Sequence, residues 1–167
     1  MRNLILASVL VAALAGAAAA APEAGAPTLF QDISMSYLKI QTALAGDSID
    51  GVAAAAQAIG ASASAGDELD AAGLGVAADK VDAARALLPK IAASAGAMAA
   101  AKDVKAAREA FVGLSEGVVA LRDIAVGERP VVAYCPMAKH EWLQAAGAVA
   151  NPYYGSGMLR CGSIVRK

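Results

Sequence analysis

Between residues 28 and 127 the apolar positions recur with the period of a helix. Phe30, Ile33, Tyr37, Ile40 and Leu44 are spaced by 3, 4, 3 and 4, which puts them on one helical face. Thr28-Leu29-Phe30-Gln31 before them fits a capping box, the Thr28 hydroxyl accepting from the Gln31 amide while the Gln31 side chain reaches back. Gly46-Asp47 predicts the end of this helix. Ile49, Val52, Ala56 and Ile59 form a weaker stripe, capped by Ser48 or Asp50, that runs to about Ser64 before Gly66-Asp67 breaks it. A third helix is expected to start near Leu69 or Val76 and to pass Leu87 and Ile91. Pro89 should kink it, because proline removes a backbone donor and crowds the preceding turn. The fourth is the clearest: Asp103 is an N-cap candidate, and Val104, Ala107, Phe111, Leu114, Val118 and Leu121 repeat at 3, 4, 3, 4 and 3. Gly127 and Pro130 close it.

From Val131 the pattern changes. Val131-Val132-Ala133-Tyr134-Cys135 is β-branched and short and reads as a strand. Glu141 to Ala146 is expected to make one or two helical turns, Asn151-Pro152 and Gly155-Ser156-Gly157 carry turn chemistry, and Met158 to Val165 suits a return strand. The predicted fold class is therefore mostly α: an up-down four-helix bundle over residues 28–127, with a C-terminal β-hairpin and loop cap over 128–167 that belongs to the same domain. Alanine bias lets helices approach closely but supplies little apolar area per residue, so the few Leu, Ile, Val and Phe side chains should anchor a thin core.

The first residues change the picture of where the protein works. Arg2, the apolar run Leu4–Leu14 and the small residues Gly16–Ala21 have the form of a secretory signal peptide, expected to be cleaved near Ala20. Residues 21–27 then form a short lead-in. The run Leu4–Ala21 is long enough for a marginal membrane anchor, but its second half is only weakly apolar, so export to the periplasm, with no membrane association after cleavage, is the expectation. Loss of Arg2 takes the formal charge from −1 to near −2. No lysine or arginine cluster accompanies it, which argues against a nucleic-acid partner.

Candidate chemistry gathers in the tail. Residues 134–161 hold both cysteines, the single histidine, the single tryptophan, three of the four tyrosines and two of the five methionines. Cys135 and Met137 are two apart, so on an extended segment both sulfurs would face one side. Met158 and Cys161 are three apart, which suits a turn or bulge. If the two segments meet, Cys135, Met137, Met158 and Cys161 offer two thiolates and two thioethers, soft donors that select Cu(I) and, by the same chemistry, Ag(I). His140 is a possible further ligand. Zinc is less attractive, because structural zinc sites use four Cys or His ligands and the chain has three. Haem lacks its C-x-x-C-H. Spacing alone leaves a plain disulfide equally open, worth roughly 3 kcal/mol by chain entropy for a loop of this length. Blander readings stand beside each residue: Met137 and Met158 as core filler, His140 and Glu141 as a solvated pair, Trp142 and the tyrosines as packing.

The pattern Tyr134-Cys135-Pro136-Met137-Ala138, Trp142, Asn151-Pro152-Tyr153-Tyr154-Gly155, Met158-Leu159 and Cys161-Gly162 resembles a bacterial exported domain family of unknown function. That family occurs alone or appended to heavy-metal efflux membrane-fusion proteins. Upstream, Ala107-Arg108 with Phe111 and Leu114-Ser115 resembles its last bundle helix, and Tyr37 with Ala43-Leu44 its first. The resemblance implies a helical periplasmic domain that handles copper or silver, a heavy-metal efflux complex as partner, and Cys135, Met137, Met158 and Cys161 as ligands. The segment between Met137 and Trp142 is shorter here than in relatives, so His140 is not carried over.

Three function classes follow. The first is an exported Cu(I)/Ag(I)-binding protein of metal homeostasis or efflux, and the second a disulfide-stapled interaction module. An enzyme is the weakest: a lone histidine has no evident Ser or Asp partners, and there is no H-E-x-x-H or P-loop. Gly73-Leu74-Gly75 superficially fits a dinucleotide fingerprint, but it follows no strand and reads as a bend between helices.

Overall fold

The computed structural model describes residues 26–167; the expected signal peptide and most of the lead-in lie outside the described residues. Helix α1 spans Leu29–Ala45, opened by the Thr28 capping box: the Thr28 amide donates to Gln31 Oε1 (2.9 Å) and the Gln31 amide to Thr28 Oγ1 (3.3 Å). Its stripe of Phe30, Ile33, Tyr37, Ile40 and Leu44 is buried to 1% exposure or less. Helix α2 spans Val52–Ala65, and its N-cap is Gly51 in the left-handed region (φ 73°), with no side-chain cap. The expected caps do other work there, Ser48 Oγ accepting from the Asp50 amide in the turn before it.

The third long helix starts later than its sequence suggests. A single turn, α3 (Ala71–Leu74), is capped by Asp70 and ended by Gly75 at φ 77°. Val76 then forms an isolated bridge with Ala125, which anchors the connection before α4 (Val81–Ala99) begins. The left-handed Gly75 and the tertiary bridge at Val76 thus interrupt what local pattern reads as one helix. Helix α4 runs through Pro89. Helix α5 (Val104–Ile124) begins at Asp103, whose carboxylate accepts from the Ala106 amide at 2.8 Å. The four long helices pack in sequence, α1 on α2, α2 on α4 and α4 on α5, with α5 returning to α1. Two glycines set the close approaches: a Cβ on Gly117 would lie 2.8 Å from Ile91 Cγ1, and one on Gly66 would overlap Leu88 and Leu29.

The tail differs from expectation in two respects. Residues His140–Gln144 form strand β2, not helical turns, and the cap is a three-stranded antiparallel sheet in the order β2-β1-β3, with β1 at Val131–Cys135 and β3 at Ser163–Arg166. Pairing explains the first. Ala133 stands opposite Trp142 and Cys135 opposite His140, and this ladder with a β-branched strand overrides the helix preference of Glu, Leu and Gln. The return segment is strand only from Ser163, because residues 155–158 coil into a 3-10 turn.

The sheet seats through β2 on α1 and α5. Trp142, Leu143, Val132, Ala133 and Cys135 are fully buried and join one apolar cluster with the helices. The Tyr37 hydroxyl hydrogen-bonds with Ser115 Oγ on α5 and accepts from the Leu143 amide on β2 (3.3 Å), locking three elements at one oxygen. Burial pushes the Tyr37 hydroxyl well above its ordinary pKa, so it stays a neutral partner there.

Candidate functional site

Strand β1 ends at Cys135, and a four-residue loop, Pro136–Lys139, returns the chain to β2. The turn closes when the Lys139 amide donates to the Cys135 carbonyl (2.8 Å), with Lys139 itself at φ 60°. Within this turn the Ala138 amide points at Cys135 Sγ (3.4 Å). The strand assignment therefore stops one residue before Pro136, and Met137 is on the loop rather than on an extended segment. Cys135 and Met137 therefore do not share a strand face, as their spacing of two predicts for an extended segment, and Met137 stands 63% exposed.

The second thiol arrives by a separate route. After β2 the chain turns through Ala145–Ala150 and enters Asn151, which is fully buried and organises the whole segment. Its amide donates to the Leu159 carbonyl (2.8 Å) and its side-chain Nδ2 to the Cys161 carbonyl (2.9 Å). Its Oδ1 accepts from the Tyr153 amide (2.8 Å), the Asx-turn expected of an Asn-Pro start. Met158 lies in the 3-10 turn, and its carbonyl accepts from the Cys161 amide (2.9 Å), so the spacing of three does mark a turn. Cys161 thereby meets Cys135 with the two sulfurs 3.0 Å apart; neither is disulfide-bonded, and Cys135 is buried while Cys161 is half-buried.

Two glycines in the tail are dictated by this geometry. Gly162 has φ 128°, and a Cβ there would lie 2.7 Å from the Tyr134 carbonyl oxygen and 2.9 Å from the Trp142 ring. Gly155, at φ 56°, leaves no room for a Cβ beside Asp47 and Arg108. That close approach is a latch: Arg108 on α5 donates to the Pro152 carbonyl (2.9 Å), to the Leu44 carbonyl (2.8 Å) and to the Asp47 carboxylate, which also accepts from the Ser156 amide (3.0 Å). Hydrogen bonds from Ser156 and Arg108 pull the Asp47 carboxyl down to about 2.

The two thiols are electrostatically unequal. Burial alone would raise Cys135, but the hydrogen bond from Cys161, the amides of Ala138 and Met137 and the Asn151 side chain together bring it below an ordinary cysteine. Cys161 moves the other way, chiefly because it donates to Cys135, with desolvation and the Cys135 charge adding. The first proton lost from the pair therefore leaves a thiolate on Cys135 and a proton on Cys161.

Of the sequence-predicted ligands, Cys135 and Cys161 are brought together. Met137 and Met158 occupy the turns on either side of them. His140 stands opposite Cys135 in the β1–β2 register, so the two side chains leave the same face of the sheet, and its ring lies 5.5 Å from that of Tyr153. Among the described residues no three His, Cys, Asp or Glu side chains converge in a way that could hold a metal ion. Asn151, Gln144 and Tyr153 are residues that motif reasoning undervalued. Gln144 accepts from Trp142 Nε1 (3.1 Å) and the Ala150 amide (3.1 Å), and Tyr153 donates to the Glu141 carbonyl (2.6 Å). The signals for Asn151 and Tyr153 in the sequence are the Asn-Pro turn and the Asn151–Gly155 motif, and Gln144 has none.

No curated protein and no solved structure matches the chain. One family, described as protein of unknown function (DUF3347), matches residues 33–126, from the first turns of α1 to just beyond α5 and short of both cysteines. That match covers more than half of the 167 residues, and the chain belongs to the DUF3347 family.

Proposed function

We propose that this is an exported soft-metal-binding protein that holds Cu(I) or Ag(I) through Cys135 and Cys161 and serves metal homeostasis or efflux. The observation that carries the reading is the convergence of two thiols from opposite ends of the cap, 3.0 Å apart, with Cys135 acidified. Thiolates are the donors that monovalent copper and silver prefer, and two of them satisfy a low-coordinate ion. Met137, on the exposed hairpin loop, and Met158, three residues before Cys161, are the thioethers available beside them. The four long helices, read as an up-down bundle, act as a rigid base for the cap. A heavy-metal efflux complex is the partner that fits a donor site open on one side. Anaerobic titration of the reduced protein with Cu(I) against a competing chelator tests this: the Cys135→Ser, Cys161→Ser double variant should lose tight binding. Equal affinity in the double variant overturns the proposal.

A second reading is favoured by the same short separation. In an oxidising compartment the pair closes into a disulfide and the protein is a stapled interaction module. Intact mass separates the two: a deficit of about two daltons with no thiol left to block indicates the staple, since closure removes two hydrogens.

A further inference from the structure

The two sulfurs of the cap are close together but not equally reachable. Cys135 is fully buried, at the end of β1 and within the apolar cluster that joins sheet and helices. Cys161 is half-buried, in the turn closed by the Met158 carbonyl, and the Asn151 side chain holds it there through its carbonyl. Their Sγ atoms stand 3.0 Å apart, so a disulfide between them would have one sulfur inside the core and one at its edge. Thiol–disulfide exchange is selective on this point. The incoming thiolate approaches along the S–S axis, on the far side of the sulfur that it attacks, and the other sulfur leaves. For attack on Cys135 that far side is interior, since Cys135 has no accessible surface. For attack on Cys161 it is the side away from the core.

We propose that Cys161 is a thiol–disulfide exchange site for low-molecular-mass thiols and their disulfides, with Cys135 as the resolving sulfur behind it. In opening, an external thiolate attacks Cys161 Sγ. A bond forms between its sulfur and Cys161, and the Cys135–Cys161 bond breaks. The electron pair goes to Cys135 Sγ, at which the Ala138 amide already points (3.4 Å). A second external thiolate then attacks the sulfur of the first, which releases a low-molecular-mass disulfide and frees Cys161. The two protons given up by the external thiols return to the pair. Closing is the reverse: a low-molecular-mass disulfide is reduced to two thiols as the pair is oxidised, and Cys135 resolves the mixed disulfide on Cys161. Proximity favours that last step, because a neighbour held 3.0 Å away outcompetes a second external thiol. The class of reagent follows from access, since a half-buried sulfur in a turn admits the narrow CH2–S end of a small thiol. The inference rests on the reading in which the pair closes, not on the metal, and makes that closure reversible at one named sulfur.

Incubation of the reduced, metal-free protein with glutathione disulfide tests the assignment, read by intact mass and peptide mapping after acid quench. The parent should lose two hydrogens and keep no lasting adduct. Cys135→Ser, which lacks the resolving sulfur, should instead keep one glutathione on Cys161. Cys135→Ala sets the same trap with an apolar group suited to the core, should the serine variant fail to fold. Cys161→Ser should form its adduct at least about tenfold more slowly and lose that protection in urea, because its thiol is reached only when the cap opens. Glutathione that reaches Cys135 in folded Cys161→Ser as fast as it reaches Cys161 in Cys135→Ser overturns the proposal. So does a parent that closes while neither Cys135 variant traps glutathione, an outcome that leaves the disulfide reading standing. A parent that stays a dithiol overturns both.

Discussion

Asn151 is the single residue on which the thiol pair most depends. Two backbone groups, the Cys161 carbonyl and the Tyr153 amide, end on its side chain and lose their partner if it is removed, while its own amide keeps the Leu159 carbonyl. Asn151→Ala should cost about 2 kcal/mol, the penalty for orphaned buried groups, measurable by urea denaturation. It should also slow closure of Cys135 onto Cys161, because the segment that presents Cys161 loses its anchor. The inequality of the thiols has its own test. Alkylation of the parent followed against pH should show one thiol ionising below the ordinary cysteine range and the other above it. In Cys161→Ala the Cys135 step should move upward, since the first of its stabilising hydrogen bonds is gone. Spacing identified these two cysteines as partners, but nothing in it distinguished which would hold the negative charge.

At the scale of elements, the helices were legible and the cap only partly so. The 3-4 spacing of α1 and α5 and the caps at Thr28 and Asp103 are local properties that survive in the fold. The stretch His140–Gln144 was not legible, because its strand exists only by pairing with β1. The latch between Asp47, Arg108 and the turn at Gly155 was also hidden, since its members are far apart in the chain. It carries a pH prediction. The Asp47 carboxyl lies at about 2 in the fold, below its ordinary value of 3.8, so its stabilisation is fully present above pH 4 and is lost as pH falls through 2. Asp47→Asn should therefore lower the Tm at neutral pH and flatten the Tm profile between pH 4 and 2. Gly162→Ala should destabilise by about 2 kcal/mol, because a Cβ there meets the Tyr134 carbonyl in a conformation that L residues avoid. Loss of cap order at lower denaturant than loss of helix would locate that damage.

Across the whole molecule, helices and sheet share one core. Phe111 on α5 stacks with Tyr37 on α1 (5.1 Å between ring centroids) and contacts Tyr153 (5.6 Å), which meets the Trp142 edge (5.9 Å). Phe111→Ala should cost about 3–5 kcal/mol and loosen both layers together, seen as a single shifted transition. A chain ending at Pro130 should lose cooperative unfolding, since it would expose the faces of α1 and α5 that β2 covers; a sharp transition at the parent Tm would count against the shared core. The family match covers residues 33–126, the helical part of the fold, and stops short of the cap.

Sequence by itself determined what depends on neighbours within a turn or two: the helical stripes, the caps, the Asn-Pro and Gly-Ser-Gly turns, and the concentration of sulfur and aromatic residues in the tail. Tertiary structure alone decided what depends on segments meeting. It made β2 a strand, held the expected return strand back to Ser163, and brought two sulfurs 26 residues apart in the chain to 3.0 Å. The physical reason is one of range. Helical hydrogen bonds join residues four apart and are written into local pattern, whereas strand ladders, ring contacts and the thiol pair draw their energy from partners that no local window contains.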